Sequence, residues 1–231
     1  MKGSFTVSLL VVVFLILAGE TKQIAAQPDQ ENDAKKPVRV IVLGHETHGK
    51  STLTSAITKV LSGENRASFI PYDKTADPSE IEVQGVSVKG TEVTYESTTK
   101  RYSLLDCHTN GDIQAVLSSR RARFDGAILV VSAADGPMPQ TREQISLARQ
   151  ARVPSIIVYL NKIDLVNDPE LLQLVEVEIR ELLSSYGFPG DKAIVIQGSA
   201  KMALSDRARR NEMKSINDLL RAMETAFEPQ K

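Results

Sequence analysis

The run Val38-Arg-Val-Ile-Val-Leu43 passes directly into Gly44-His-Glu-Thr-His-Gly49-Lys50-Ser51. That junction constrains the fold more than any other feature of the chain. Six residues are too few for a stable helix, and an almost continuously apolar run needs cover on both faces, the condition of a strand inside a parallel sheet. Gly126–Ser132 (GAILVVS), Ser155–Leu160 (SIIVYL) and Ala193–Gln197 (AIVIQ) have the same character. Apolar residues at three-and-four spacing separate and follow these runs: Leu53, Ile57, Val60 and Leu61; Leu172, Val175, Ile179, Leu182 and Leu183; Ile216, Leu219, Leu220, Met223 and Phe227. Each set makes one stripe on a helix. The alternation predicts an α/β fold, a doubly wound, mostly parallel sheet with helices on both faces. From Gly85 to Asp106 the pattern alternates about Lys89-Gly90 and predicts an antiparallel pair at one edge.

Composition narrows the classes. Lys and Arg number 28 against 29 Asp and Glu, so the surface as a whole is no polyanion binder. An apolar fraction of 42% excludes a disordered chain. Cys107 is the single cysteine, which excludes an intramolecular disulfide. The first 36 residues read differently from the rest. Val7–Ala18 (VSLLVVVFLILA) is apolar except for Ser8, follows Lys2 and precedes polar sequence. It is short for a membrane span and closest to a secretory signal peptide over residues 1–26, with small residues at Ala25 and Ala26. An uncleaved membrane anchor, or a start placed upstream of a cytosolic protein, is the alternative. Residues 27–36 are polar and read as a linker, leaving 37–231 as one domain.

Four segments at strand ends carry chemistry. Gly44–Ser51 matches G-x-x-x-x-G-K-[ST], in which backbone N–H groups and a helix N-terminus cradle a polyphosphate, a P-loop NTPase arrangement. Gly44, His45, Glu46, Thr47, His48, Gly49, Lys50, Ser51 and Thr52 are its candidate binding residues, with Lys50 on the β- and γ-phosphates and Ser51 on Mg²⁺. Asn161-Lys-Ile-Asp164 follows the next-to-last run. The Asp164 carboxylate can accept from guanine N1–H and its exocyclic amine, a donor pair adenine lacks. Asn161 would tie this loop to the phosphate loop, and the Lys162 stem would lie along the base. Gly198-Ser199-Ala200-Lys201 would offer backbone N–H groups to the guanine carbonyl. Asp106, opening Asp106–Asp112, is placed to hold Mg²⁺ through water. His45, His48, Cys107 and His108 lack the spacing of a zinc site.

From about Pro37 to Phe227 the chain resembles the GTP-binding domain of bacterial elongation factor Tu, in GHETHGKSTLTSAITKVL, DGAILVVSAADGPMPQTREQISLARQARVP, IIVYLNKIDLV and ELLQLVEVEIRELLSSYGFPGDKAIVIQGSA. The resemblance implies a translational GTPase that binds GTP or GDP with Mg²⁺ and hydrolyses GTP on the ribosome. Departures bear on turnover. Glu46 and Thr47 stand for the family's Val and Asp, and the carboxylate of Glu46 adds negative charge near the γ-phosphate. Val86 takes the other wing of the family's apolar gate. Thr109 replaces the Gly whose amide senses the γ-phosphate, and Asn110 replaces the His that positions the attacking water. A β-branched residue restricts a switch Gly's freedom, and Asn110 is shorter and takes no proton. Hydrolysis is therefore expected to be slow while binding persists. Ser87 stands for the Mg²⁺-sensing Thr and keeps its hydroxyl. Residues 62–84 match the first switch in position but show no periodicity.

The family's two β-barrel domains have no counterpart before Lys231, so aminoacyl-tRNA delivery is not expected. Arg120, Arg121 and Arg123, and Arg207, Arg209, Arg210 and Lys214, are candidate RNA or ribosome contacts, against a solvated face as the plain alternative. Three functions follow: a slow GTPase, a nucleotide-liganded module that acts through partners without turnover, and a membrane-tethered or exported relative. GTP chemistry and an apolar leader are reconciled by an anchor that leaves the domain facing the cytoplasm. Plain cytoplasmic location comes next, and secretion fits GTP use least.

Overall fold

Val38–Leu43 forms β1 at the centre of a seven-stranded sheet. The computed structural model describes residues 37–205, 208 and 210–229. The apolar leader, the 27–36 linker, Arg207 and Arg209 lie outside the described residues. The strand order is β2-β3-β4-β1-β5-β6-β7, with β2 at Glu80–Val83, β3 at Val86–Glu96, β4 at Arg101–Cys107, β5 at Gly126–Ser132, β6 at Ile156–Asn161 and β7 at Val195–Gln197. β1 runs parallel to both of its neighbours, β4 and β5, and β6 and β7 continue in the same sense.

Alternate residues of β1 enter opposite layers, which is why its sequence shows no polar face. Ile41 and Leu43 pack with Ile113, Val116, Ile145, Ile179 and Leu183. These come from α3 (Asn110–Ser118), α4 (Pro139–Gln150) and α5 (Pro169–Ser185). Val38, Val40 and Val42 pack with Leu53, Ile57, Leu61, Ile216, Leu219 and Met223, from α1 (Lys50–Gly63) and α7 (Arg210–Ala226). Two layers of helix on one sheet are the expected doubly wound arrangement.

The edge departs from expectation. Lys89-Gly90 is not a turn: β3 runs straight through it, with Lys89 opposite Glu80 and Gly90 opposite Cys107. Gly90 sits where a Cβ would come within 2.8 Å of the Asp106 carbonyl oxygen, so it serves close strand approach. The hairpin turn lies at Gln84-Gly85, both left-handed at φ 51° and 81°, the two-residue geometry that matches strand twist. β3 is the antiparallel strand, and β2 extends the sheet beyond it. The segment without periodicity, 62–84, contains both β2 and the short helix α2, Tyr72–Ala76.

α7 closes the second layer. Lys100, in the β3–β4 turn, donates to the carbonyls of Glu224 (2.7 Å) and Phe227 (2.8 Å), capping the helix C-terminus with a cation. Just past it, the buried Phe227 ring occupies the space where a Cβ on Gly126 would lie. Gly126→Ala is expected to destabilise the chain by about 1–3 kcal/mol through overpacking. Denaturant unfolding of the single and double variants with Phe227→Ala should show a double cost below the sum of the singles. Additive costs would contradict this contact.

Candidate functional site

Loops at the carboxyl ends of β1, β6 and β7 meet in one cavity of about 730 Å³. Glu46, Thr47, Gly49, Lys50, Ser51 and Thr52 line it from the first loop, Asn161, Lys162, Asp164 and Leu165 from the second, and Lys201 and Leu204 from the third. It lies beside the point where neighbouring strands leave β1 in opposite directions, where open α/β sheets bind ligands.

The phosphate loop is built by two left-handed glycines and a short turn. Gly44 has φ 135° and a Cβ there would overlap the Val130 carbonyl oxygen; Gly49 has φ 91° and a Cβ would sit 2.5 Å from Asn161 Nδ2. Glu46–His48 forms a 3₁₀ turn in which the Thr47 and His48 amides are spent on His45 Nδ1 and the His45 carbonyl. α1 then begins at Lys50 with no side-chain cap, and its first intrahelical bond runs from the Leu53 amide to the Gly49 carbonyl. The Lys50, Ser51 and Thr52 amides therefore have no partner inside the helix, and all three residues line the cavity. An uncapped helix N-terminus facing a cavity is an anion site.

The Lys50 side chain is 4% exposed. Its Nζ donates to the carbonyls of Gly44 (3.1 Å) and His45 (3.4 Å), leaving one of three ammonium donors. Burial holds its pKa below the ordinary lysine value, and the carboxylates of Asp106 and Glu46 oppose that shift. Asp106, at the end of β4, is 2% exposed and neither carboxylate oxygen has a hydrogen-bond partner. Burial raises its pKa to about 6 against the pull of Lys50 and the nearby Thr54 and Ser51 hydroxyls. An orphaned carboxylate beside a serine hydroxyl is a hard oxygen donor set, and it fits Mg²⁺. Among the described residues no three His, Cys, Asp or Glu side chains converge on one point. A cation here would complete its shell with phosphate and water.

Asn161 joins the loops. Its Nδ2 donates to the His48 carbonyl (2.9 Å) and its Oδ1 accepts from the Ala200 amide (2.9 Å). The Ala200 amide is thus spent on Asn161, and Ser199 caps α6 (Ala200–Leu204) by accepting from the Met202 amide. Lys162 is left-handed at φ 62°, a strained state for a residue with a Cβ, and it opens the 3₁₀ turn Ile163–Leu165 that exposes Asp164 on the cavity.

Other expected residues stand elsewhere. Ser87 is exposed on β3, donates to Glu80 Oε1 (2.5 Å) and does not line the cavity. Thr109 is the N-cap of α3 in a reciprocal capping box with Asp112. Asn110 hydrogen-bonds to Glu143 and Gln144 on α4 and does not line the cavity. Arg120, Arg121 and Arg123 are exposed on the loop after α3. Tyr72, Leu165 and Leu204 line the cavity without forming any motif. Only proximity in the fold reveals them.

A Gly44–Ser51 loop opening a helix, the Asn161–Asp164 loop and a third loop converging on one doubly wound sheet define a nucleotide-binding protein of the P-loop class. The sequence model of the family described as Elongation factor Tu GTP binding domain matches residues 35–229, and the chain belongs to that family. It is a translational-GTPase-like domain, and such a domain binds guanine nucleotide.

His48 carries a stability consequence. It is fully buried, neither ring nitrogen makes a hydrogen bond of normal geometry, and burial, aided by His45 and opposed by the Val130 backbone nearby, lowers its pKa to about 4. The unfolded chain takes up this proton first, near pH 6.5, so stability is lost as pH falls from there toward 4. Between pH 7 and pH 5 the chain should lose about 2 kcal/mol more than His48→Gln. Denaturant unfolding at the two pH values checks it, and parallel losses would refute it.

Proposed function

We propose that the cavity binds GTP and GDP with Mg²⁺ and hydrolyses GTP slowly. The observation that carries this reading is Asn161, whose buried carboxamide ties the phosphate loop to the third loop while its own loop presents Asp164 to the same cavity. The amides of Gly49–Thr52 and the Lys50 ammonium would hold the β- and γ-phosphates. Asp164 would accept from the guanine edge, and the Lys162 stem would lie on the base. Ser51, and Asp106 through water, would hold Mg²⁺, which supplies charge neutralisation to the phosphate oxygens.

Turnover requires a group that orients the attacking water. Asn110 stands at that place in the sequence, and its amide is engaged by Glu143 (3.1 Å) and Gln144 (2.9 Å). Glu46 adds a carboxylate to the phosphate end of the cavity. Both features support slow hydrolysis, and they also favour the second reading, a nucleotide-bound module that acts through partner contacts. Ribosome contact is a proposal from family membership, and membrane association one from residues 7–18.

Asp164→Asn tests the base assignment. It should weaken GDP binding about 100-fold, the loss of two hydrogen bonds to a charged acceptor, and shift preference toward xanthosine diphosphate, whose C2 carbonyl the new amide can serve. Titration calorimetry on the full chain measures both. Unchanged GDP affinity would remove Asp164 from the site.

A further inference from the structure

Asn110 is held by two neighbours on α4 that the reading of the cavity does not use. Glu143 accepts from Asn110 Nδ2 through Oε2 (3.1 Å) and from Gln114 Nε2 through Oε1 (2.6 Å). It thereby bridges two residues one turn apart on α3. Gln144, 1% exposed, donates from Nε2 to Asn110 Oδ1 (2.9 Å). The same carboxamide accepts from the Gly44 amide (2.6 Å) and donates to the Gly44 carbonyl (3.4 Å). The Gly44 carbonyl is also an acceptor for Lys50 Nζ. One chain of hydrogen bonds therefore runs Lys50, Gly44, Gln144, Asn110, Glu143, with both polar ends of the Asn110 side chain occupied and the side chain absent from the cavity lining.

We propose that Glu143 and Gln144 form a polar clamp that keeps Asn110 off the nucleotide cavity and ties its position to the Gly44 peptide, so that the clamp sets the rate of GTP hydrolysis. Both are positioning residues: neither lines the cavity, and each acts through Asn110. The physical link is the shared acceptor. When Lys50 leaves the Gly44 carbonyl for a phosphate, that oxygen keeps Gln144 as its donor. Gln144 Nε2 serves Gly44 and Asn110 with its two separate hydrogens, so a stronger bond to the Gly44 carbonyl draws the planar carboxamide toward Gly44, lengthens the bond to Asn110, and the clamp loosens. The inference rests on reading the cavity as a guanine nucleotide site.

Glu143→Ala on the full chain is the test, because Glu143 is exposed and outside the cavity. Single-turnover hydrolysis of saturating GTP with Mg²⁺ should rise about tenfold, the size of one hydrogen bond to a charged group. GDP affinity should stay within about twofold, and amide hydrogen exchange across residues 110–118 should accelerate. In an Asn110→Ala background the same substitution should leave the rate unchanged, and Glu143→Gln, which keeps one acceptor, should fall between. An unchanged or lower rate in Glu143→Ala, or an equal rise without Asn110, would overturn the clamp. So would unaltered exchange across 110–118, whether or not nucleotide binds. Failure of the unsubstituted chain to bind GDP would instead overturn the reading of the cavity.

Discussion

The Asn161 carboxamide is the interaction on which the site depends. It is 3% exposed, donates to the His48 carbonyl and accepts from the Ala200 amide, so both its polar ends hold backbone from other loops. Those loops leave β1 and β7, on either side of β6 and its neighbour β5 in the sheet. Strand packing alone would fix where they start and not where they meet. A buried amide with both ends satisfied defines their separation, since breaking either bond leaves an unpaired polar group in the interior. Gly49 completes the fit, because any Cβ there would collide with Asn161 Nδ2.

The unsatisfied groups gather at the same end of the sheet. Among the described residues, Asp106, His48, Thr54, Ser132 and Gln140 hold buried polar atoms without partners, and Lys50 is buried with its charge. Buried unpaired groups cost stability, and elsewhere the core is apolar packing on both sides of the sheet. Their concentration at the carboxyl ends of the strands marks a region shaped for a ligand rather than for stability. The left-handed Lys162 adds local strain at the same end of the sheet, where it holds Asp164 at the rim through a backbone state that a helix or strand would not provide.

Much of this was legible in the sequence, and the gaps have physical causes. The central strands announced themselves because burial on both faces leaves no room for polar residues. The phosphate loop was legible because its glycines answer to backbone angles and close approach that local sequence encodes. β2 was invisible, since three of its four residues face solvent at least partly and, as the edge strand, it has β3 as its single strand partner. Lys89-Gly90 misled because a glycine that permits strand approach and a glycine that makes a turn look the same in one dimension. Gln144 could not be read at all: its partner Gly44 lies 100 residues away, and in the sequence it is one polar residue on the buried stripe of a helix. Tyr72, Leu165 and Leu204 reach the cavity for reasons of topology that no local pattern carries.

In the proposed site the uncapped N-terminus of α1 and the Asp164 loop would together select a guanosine diphosphate tail and base. Thermal unfolding of the full chain with Mg²⁺ and either GDP or ADP tests it most directly. Binding to the folded state alone at about 100 times the dissociation constant adds about 2.7 kcal/mol of stability, a rise of several degrees for a chain of this size. That rise is expected with GDP and none with ADP at equal concentration. Equal shifts with both nucleotides, or no shift with GDP, would contradict it.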